Sequence, residues 1–140
     1  MKILIPHGQQ IIEVNRHVCA ENKQRSQLLD QGKIESALNT AFYPGSWPFL
    51  NGGIARLAGA LCFYLTKAHA FMDGNKRTAT LSAILFMNSN GLDLLYPEND
   101  EDSFSELADV VNKATASEIS KDELIEWFER HKVPFQSSDE

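Results

Sequence analysis

The chain has 140 residues, 43% of them apolar, and a formal net charge of −6 at neutral pH. That length fits one domain, 1–140, and that apolar share supports a packed core and excludes a disordered chain. The opening MKILIPHGQQ holds too short an apolar run for a signal peptide, and LAGALCFYLT, bounded by Arg56 and Lys67, is too short to span a bilayer, so a cytoplasmic protein without membrane association is expected.

Along the chain, helical periodicity dominates. After Pro6, HGQQIIEVNRHVCAEN sets Ile11, Ile12, Val14 and Val18 near one face. KIESAL, 33–38, reads as a short helix after Gly32. NTAFYPGSWPFLNGG, 39–53, is rich in Gly, Pro and aromatics and reads as an ordered loop or small hairpin. Its Tyr43, Trp47 and Phe49 make either a plain connector or a docking surface. IARLAGALCFYLTKA, 54–68, is apolar nearly all round, the mark of a central buried helix. A second apolar run, TATLSAILFMNSN, stops at Gly91. After LDLLYPEND, capping boxes at Ser103 with Glu106 and at Ser120 with Glu123 start two further helices. KILI and the aromatic loop are the only strand candidates. The expected fold class is all-α, a compact helical bundle with at most a small flap hairpin. Cys19 and Cys62 are far apart and lack partners at metal-ligand spacing, so both read as buried free thiols.

Charge is unevenly placed. Residues 98–140 carry 13 acids and 4 bases, whereas residues 1–97 carry 6 acids and 9 bases. No Asp or Glu occurs from Ser36 to Met72. The first part of the chain therefore suits an anionic ligand. It lacks the dense Lys and Arg patch that nucleic-acid binding needs. The acidic C-terminal part reads as solvated helix faces.

Between the two apolar helices lies HAFMDGNKRTA, residues 69–79. A helix N-terminus presents unpaired N–H groups and partial positive charge, and so favours phosphate. Gly74 lets an anion approach the backbone. Arg77 can fork two phosphate oxygens, and Lys76 adds a point charge. Asp73 is the one acid present and is placed to hold Mg²⁺ against phosphates. His69 can take a proton from an attacking hydroxyl. Each residue also has an ordinary role: His69 as a helix cap or core group, Asp73 as a cap, Gly74 and Asn75 as turn formers, Lys76 and Arg77 as solvated charges. Phe71 reads as a core anchor that fixes the loop. It is their conjunction within nine residues that points to phosphate chemistry. GNKRT lacks the earlier Gly of a P-loop, and no HExxH or paired-Cys site occurs.

These residues fill every specified position of H-x-F-x-D/E-G/A-N-G/K-R, the signature of the Fic/Doc family: His69, Phe71, Asp73, Gly74, Asn75, Lys76 and Arg77. LLDQGKIESAL resembles the element before that family's target-docking flap. NKRTATLSAILFMNSNG and ATASEISKDELIEWF resemble later parts of death-on-curing proteins. The resemblance implies a small helical protein that uses ATP and Mg²⁺ to modify a hydroxyl on a target protein. Lys after the motif Asn, here Lys76, is the Doc-like choice and implies γ-phosphate transfer; Gly there goes with AMP transfer, the alternative activity. A non-catalytic binding module on the same fold is a further alternative. By resemblance, His69 is the base, Asp73 holds Mg²⁺, Arg77 neutralises phosphate, and Phe71, Gly74, Asn75 and Lys76 complete the nucleotide site. The segment Asn39 to Asn51 would be the flap, and elongation factor Tu the target, its phosphorylation arresting translation. Some members restrain themselves with Ser or Thr four residues before a Glu that is followed by Gly or Asn. Here His17 and Leu94 occupy that hydroxyl position, so a toxin held by a separate antitoxin protein is expected.

Overall fold

Six helices and one two-stranded ribbon form among the residues that the computed structural model describes, 3–43, 53–96 and 105–136. The first helix, α1 (Gly8–Glu21), follows Pro6 and an extended His7, and buries Ile11, Ile12, Val18 and Cys19 on one face. The second, α2 (Gln31–Phe42), is longer than the sequence suggests. Asp30 caps it, accepting from the Gly32 N–H at 2.9 Å, so it begins before Gly32 instead of after it. It then continues to Phe42 because Ile34, Ala37, Leu38, Ala41 and Phe42 keep helical spacing on the buried side. Asn39 to Phe42, expected to open the flap, are thus its last turn. Tyr43 follows, exposed; the rest of that expected flap, with Trp47 and Phe49, lies outside the described residues.

The third helix, α3 (Ile54–Ala68), is the central one. Leu57, Ala58, Ala60, Leu61 and Cys62 are all almost wholly buried, which accounts for its all-round apolar sequence. The fourth, α4 (Asn75–Ser89), packs against α3 and α1, and Phe86 meets Phe42 edge-on at 5.0 Å. Gly91, at φ 88°, turns the chain from α4 into β1 (Leu92–Leu94). The fifth helix, α5 (Glu106–Thr115), is capped by Ser105, whose hydroxyl accepts from Ala108 N–H at 3.0 Å. That corrects the expected Ser103 cap, a residue outside the described set. The Ser120–Glu123 box at the start of α6 (Lys121–His131) is present as expected.

Strand β2 (Lys132–Pro134) pairs antiparallel with β1, Leu92 opposite Pro134 and Leu94 opposite Lys132. Neither strand was expected, because three residues are too few to display a two-residue alternation. Conversely, Ile3 and Leu4 of KILI form no strand. Leu4 is tied instead to the end of α4, its N–H and C=O both bonded to the Asn90 side chain at 2.8 and 2.9 Å. The expected all-α class therefore holds, with the ribbon as its only sheet among the described residues. Where α3 crosses α6, a Cβ on Gly59 would stand 2.8 Å from Ile125 Cα, so glycine permits the close approach of the two backbones. Cys19 and Cys62 are free and buried, as expected. No described helix is long and apolar enough to cross a membrane.

Candidate active site

The motif loop begins where α3 ends. His69 is the C-cap of α3 at φ 50°, ψ 48°, a left-handed conformation that costs a non-glycine residue free energy. Its imidazole is exposed and makes no hydrogen bond with any described residue. It therefore points away from the core and is available to a substrate.

Main-chain bonds to the stretch before α2 hold the loop in this conformation. Ala70 C=O accepts from Leu29 N–H at 2.7 Å and from Asp30 N–H at 3.2 Å, and Met72 N–H donates to Gln27 C=O at 2.9 Å. Leu28 and Phe71 form an antiparallel bridge within this ladder. The Phe71 ring is buried in the core, where it anchors the loop. Asn75 closes the loop from its other end. Its amide donates to Phe71 C=O at 2.8 Å and accepts from Phe71 N–H at 3.1 Å. That side chain is therefore oriented by the loop, with one amide N–H and the Asn75 backbone N–H not used in these two bonds.

Gly74 precedes α4 at φ 77°. The sequence suggests that its missing Cβ makes room for an anion; the structure gives a different reason. A Cβ there would stand 3.1 Å from Cys19 Sγ, 3.2 Å from Asn15 Nδ2 and 3.4 Å from Val18 Cγ2, all on α1. Glycine lets the turn take a left-handed conformation and rest on α1. No side chain caps α4. Asp73 thus does not serve as the cap, and its carboxylate makes no hydrogen bond or ion pair with a described residue. The N–H groups of Asn75, Lys76 and Arg77 open α4 without acceptors, the arrangement that favours an anion.

The two cations differ. Lys76 Nζ donates to Asn112 Oδ1 on α5 at 2.9 Å, while Arg77 is exposed and pairs with no described acid. Both line a cleft of about 270 Å³ between α1, α4 and α5, together with Asn22, Thr80, Tyr96 and Asn112. His69 and Asp73 are not among the residues that line it.

Asn15 escaped the sequence reading. It is fully buried on α1, and its amide bonds the Asp73 carbonyl and the Thr78 hydroxyl. The available signal was a polar residue four positions after Ile11 and four before Cys19, on the apolar face. Cys19 lies beside it, its sulfur 3.6 Å from the Asp73 carbonyl oxygen. Burial, and then the Asp73 carboxylate, raise the Cys19 thiol above its ordinary pKa, so it stays neutral.

Among the described residues no three His, Cys, Asp or Glu side chains converge on a metal position. The Asp73 carboxylate, half-buried and without a partner among the described residues, is a single oxygen donor of the kind that binds Mg²⁺ jointly with phosphate oxygens. A model of the Fic/DOC family matches residues 7–87, from the cap of α1 to the last turn of α4, and so spans the whole loop. Among curated proteins, none matches the chain.

Proposed function

This chain belongs to the Fic/Doc family, and from that premise we propose that it is a Doc-like toxin, a single domain over 1–140 that transfers the γ-phosphate of ATP to a threonine hydroxyl of a translation factor. Family membership gives the coarser statement: a transferase that acts on proteins with a nucleotide substrate. The observation that carries the finer reading is the motif loop itself. An exposed imidazole without a partner among the described residues stands at one end, and a helix N-terminus without a side-chain cap stands at the other.

In this reading the phosphates lie against the N–H groups of Asn75, Lys76 and Arg77, with the Arg77 guanidinium neutralising charge on the transferred group. Asp73 holds Mg²⁺, which supplies further charge neutralisation when bound. His69 takes the proton from the target hydroxyl; that oxygen bonds to the γ-phosphorus, the bond to the β,γ-bridging oxygen breaks, and ADP leaves. Lys76 after Asn75 supports phosphate transfer over AMP transfer. Gly74 lends AMP transfer no added support, since its open side faces α1 and not the phosphates. Elongation factor Tu is the target and an antitoxin protein the restraint, both inferred from the resemblance of the motif and its flanks.

The test is label transfer from ATP into a cell extract. Label should pass from the γ position, and His69→Ala should lower the rate about 10²- to 10⁴-fold with the fold intact by circular dichroism. Transfer from the α position alone would replace the kinase reading with AMP transfer. Unchanged toxicity of His69→Ala in cells would favour a non-catalytic binding module.

A further inference from the structure

A wholly buried amide is costly unless every polar atom is used, and Asn15 uses all of its own. Its Nδ2 donates to the Asp73 carbonyl at 2.9 Å and to Thr78 Oγ1 at 3.0 Å. Its Oδ1 accepts from Ser26 Oγ at 2.7 Å and faces the Cys19 thiol at 3.7 Å. One side chain on α1 thus joins the connector before α2, the turn after the motif Phe, and the first turn of α4. The Asp73–Gly74 peptide is where these meet, and the next residue already rests on Asn15, Val18 and Cys19.

We propose that Asn15 is a positioning residue for the proposed reaction: its bond to the Asp73 carbonyl sets the orientation of the carboxylate that holds Mg²⁺ against the nucleotide. The inference rests on the role given to Asp73 above. No other side chain that the structure records makes a full-strength hydrogen bond to Asp73; the thiol contact at 3.6 Å is weak. Without the amide, the peptide rotates about its left-handed neighbour and carries the carboxylate with it. Partners that orient a metal ligand typically matter 10- to 100-fold in metal affinity.

The control is built into the same network. Thr78→Val keeps shape and leaves the Asn15–Asp73 bond in place, yet it strands one buried donor, so it costs stability of the same kind as Asn15→Ala. Titration calorimetry of ATP with Mg²⁺ and of ATP in EDTA gives the factor by which the metal tightens binding. Asn15→Ala should reduce that factor about 10-fold or more, and Thr78→Val less than about 2-fold, at comparable loss of melting temperature. If Asn15→Ala does not fold, Asn15→Ser takes its place, because its short hydroxyl cannot reach the Asp73 carbonyl; the same loss is expected. An unchanged factor in the Asn15 variant, or equal losses in both variants, overturns the proposal. A wild-type protein whose ATP binding ignores Mg²⁺ removes the role of Asp73 itself, and this inference with it.

Discussion

Gly74→Ala puts the geometry of the turn to a quantitative test. Holding an L-residue in the left-handed region costs about 1–2 kcal/mol. Replacing glycine also stiffens the unfolded chain, which returns about 0.4–1 kcal/mol, so the backbone share is about 1 kcal/mol. The added methyl would meet Cys19 Sγ at 3.1 Å and Asn15 Nδ2 at 3.2 Å, and both neighbours are engaged in the network beneath the turn. Displacing them by a few tenths of an ångström adds about 1 kcal/mol, at the low end of overpacking costs. The sum, about 2 kcal/mol, corresponds to a fall of about 7 °C in melting temperature for a chain of this length. Differential scanning calorimetry and urea unfolding measure it. A Cys19→Ala background removes the closest neighbour and should recover about 0.5 kcal/mol or more of the loss as a coupling energy. A loss below about 0.5 kcal/mol, with no coupling to Cys19, would mean that the turn does not rest on α1.

Two further outcomes concern the core. Gly59→Ala should destabilise by about 1 kcal/mol or more despite its gain in helix propensity, because the obstructing atom is the Ile125 Cα, 2.8 Å away, and backbone cannot step aside; thermal melts report it. Burial pushes the Cys62 thiol up to about 12 from 9.0. The native state therefore keeps its proton while the unfolded state loses it, so this contribution to stability is constant below pH 9.0 and falls as pH rises toward 12. Urea midpoints measured from pH 7 upward should show that decline in wild type and a shallower one in Cys62→Ala.

How much could be read from the residues alone varied with the kind of signal. The two long apolar helices and the loop between them were plain, because α3 is buried all round and the motif residues stand next to one another in sequence. The start of α2 was misplaced: Gly32 looked like a boundary, whereas Asp30 had already capped the helix. The ribbon was invisible because its strands are three residues each and 40 apart, from Leu92 to Lys132, and pair only through tertiary contact. The same limit hid the commitments within the site. Nothing local announces that the Asn75 amide is turned back onto Phe71, or that Lys76 reaches Asn112 on α5. The reason for Gly74 was likewise out of reach, since its would-be neighbours lie on α1, more than fifty residues away.

The ladder between residues 27–30 and the motif loop uses only peptide groups: Leu29, Asp30 and Met72 give N–H, Gln27 and Ala70 give C=O. This part of the scaffold is therefore encoded by spacing, whereas the Asn15 and Asn75 clamps on the same loop are encoded by side-chain identity. Exchanging Gln27 or Leu28 for many other amino acids leaves the rungs untouched, while a proline at 29 removes one. Inserting a single residue between Gln27 and Leu29 puts the rungs out of step with Ala70 and Met72, although no motif residue changes. Within that stretch, identity matters at Ser26, which bonds Asn15, and at Asp30, which caps α2, while Gln27 and Leu28 contribute to the ladder through length alone.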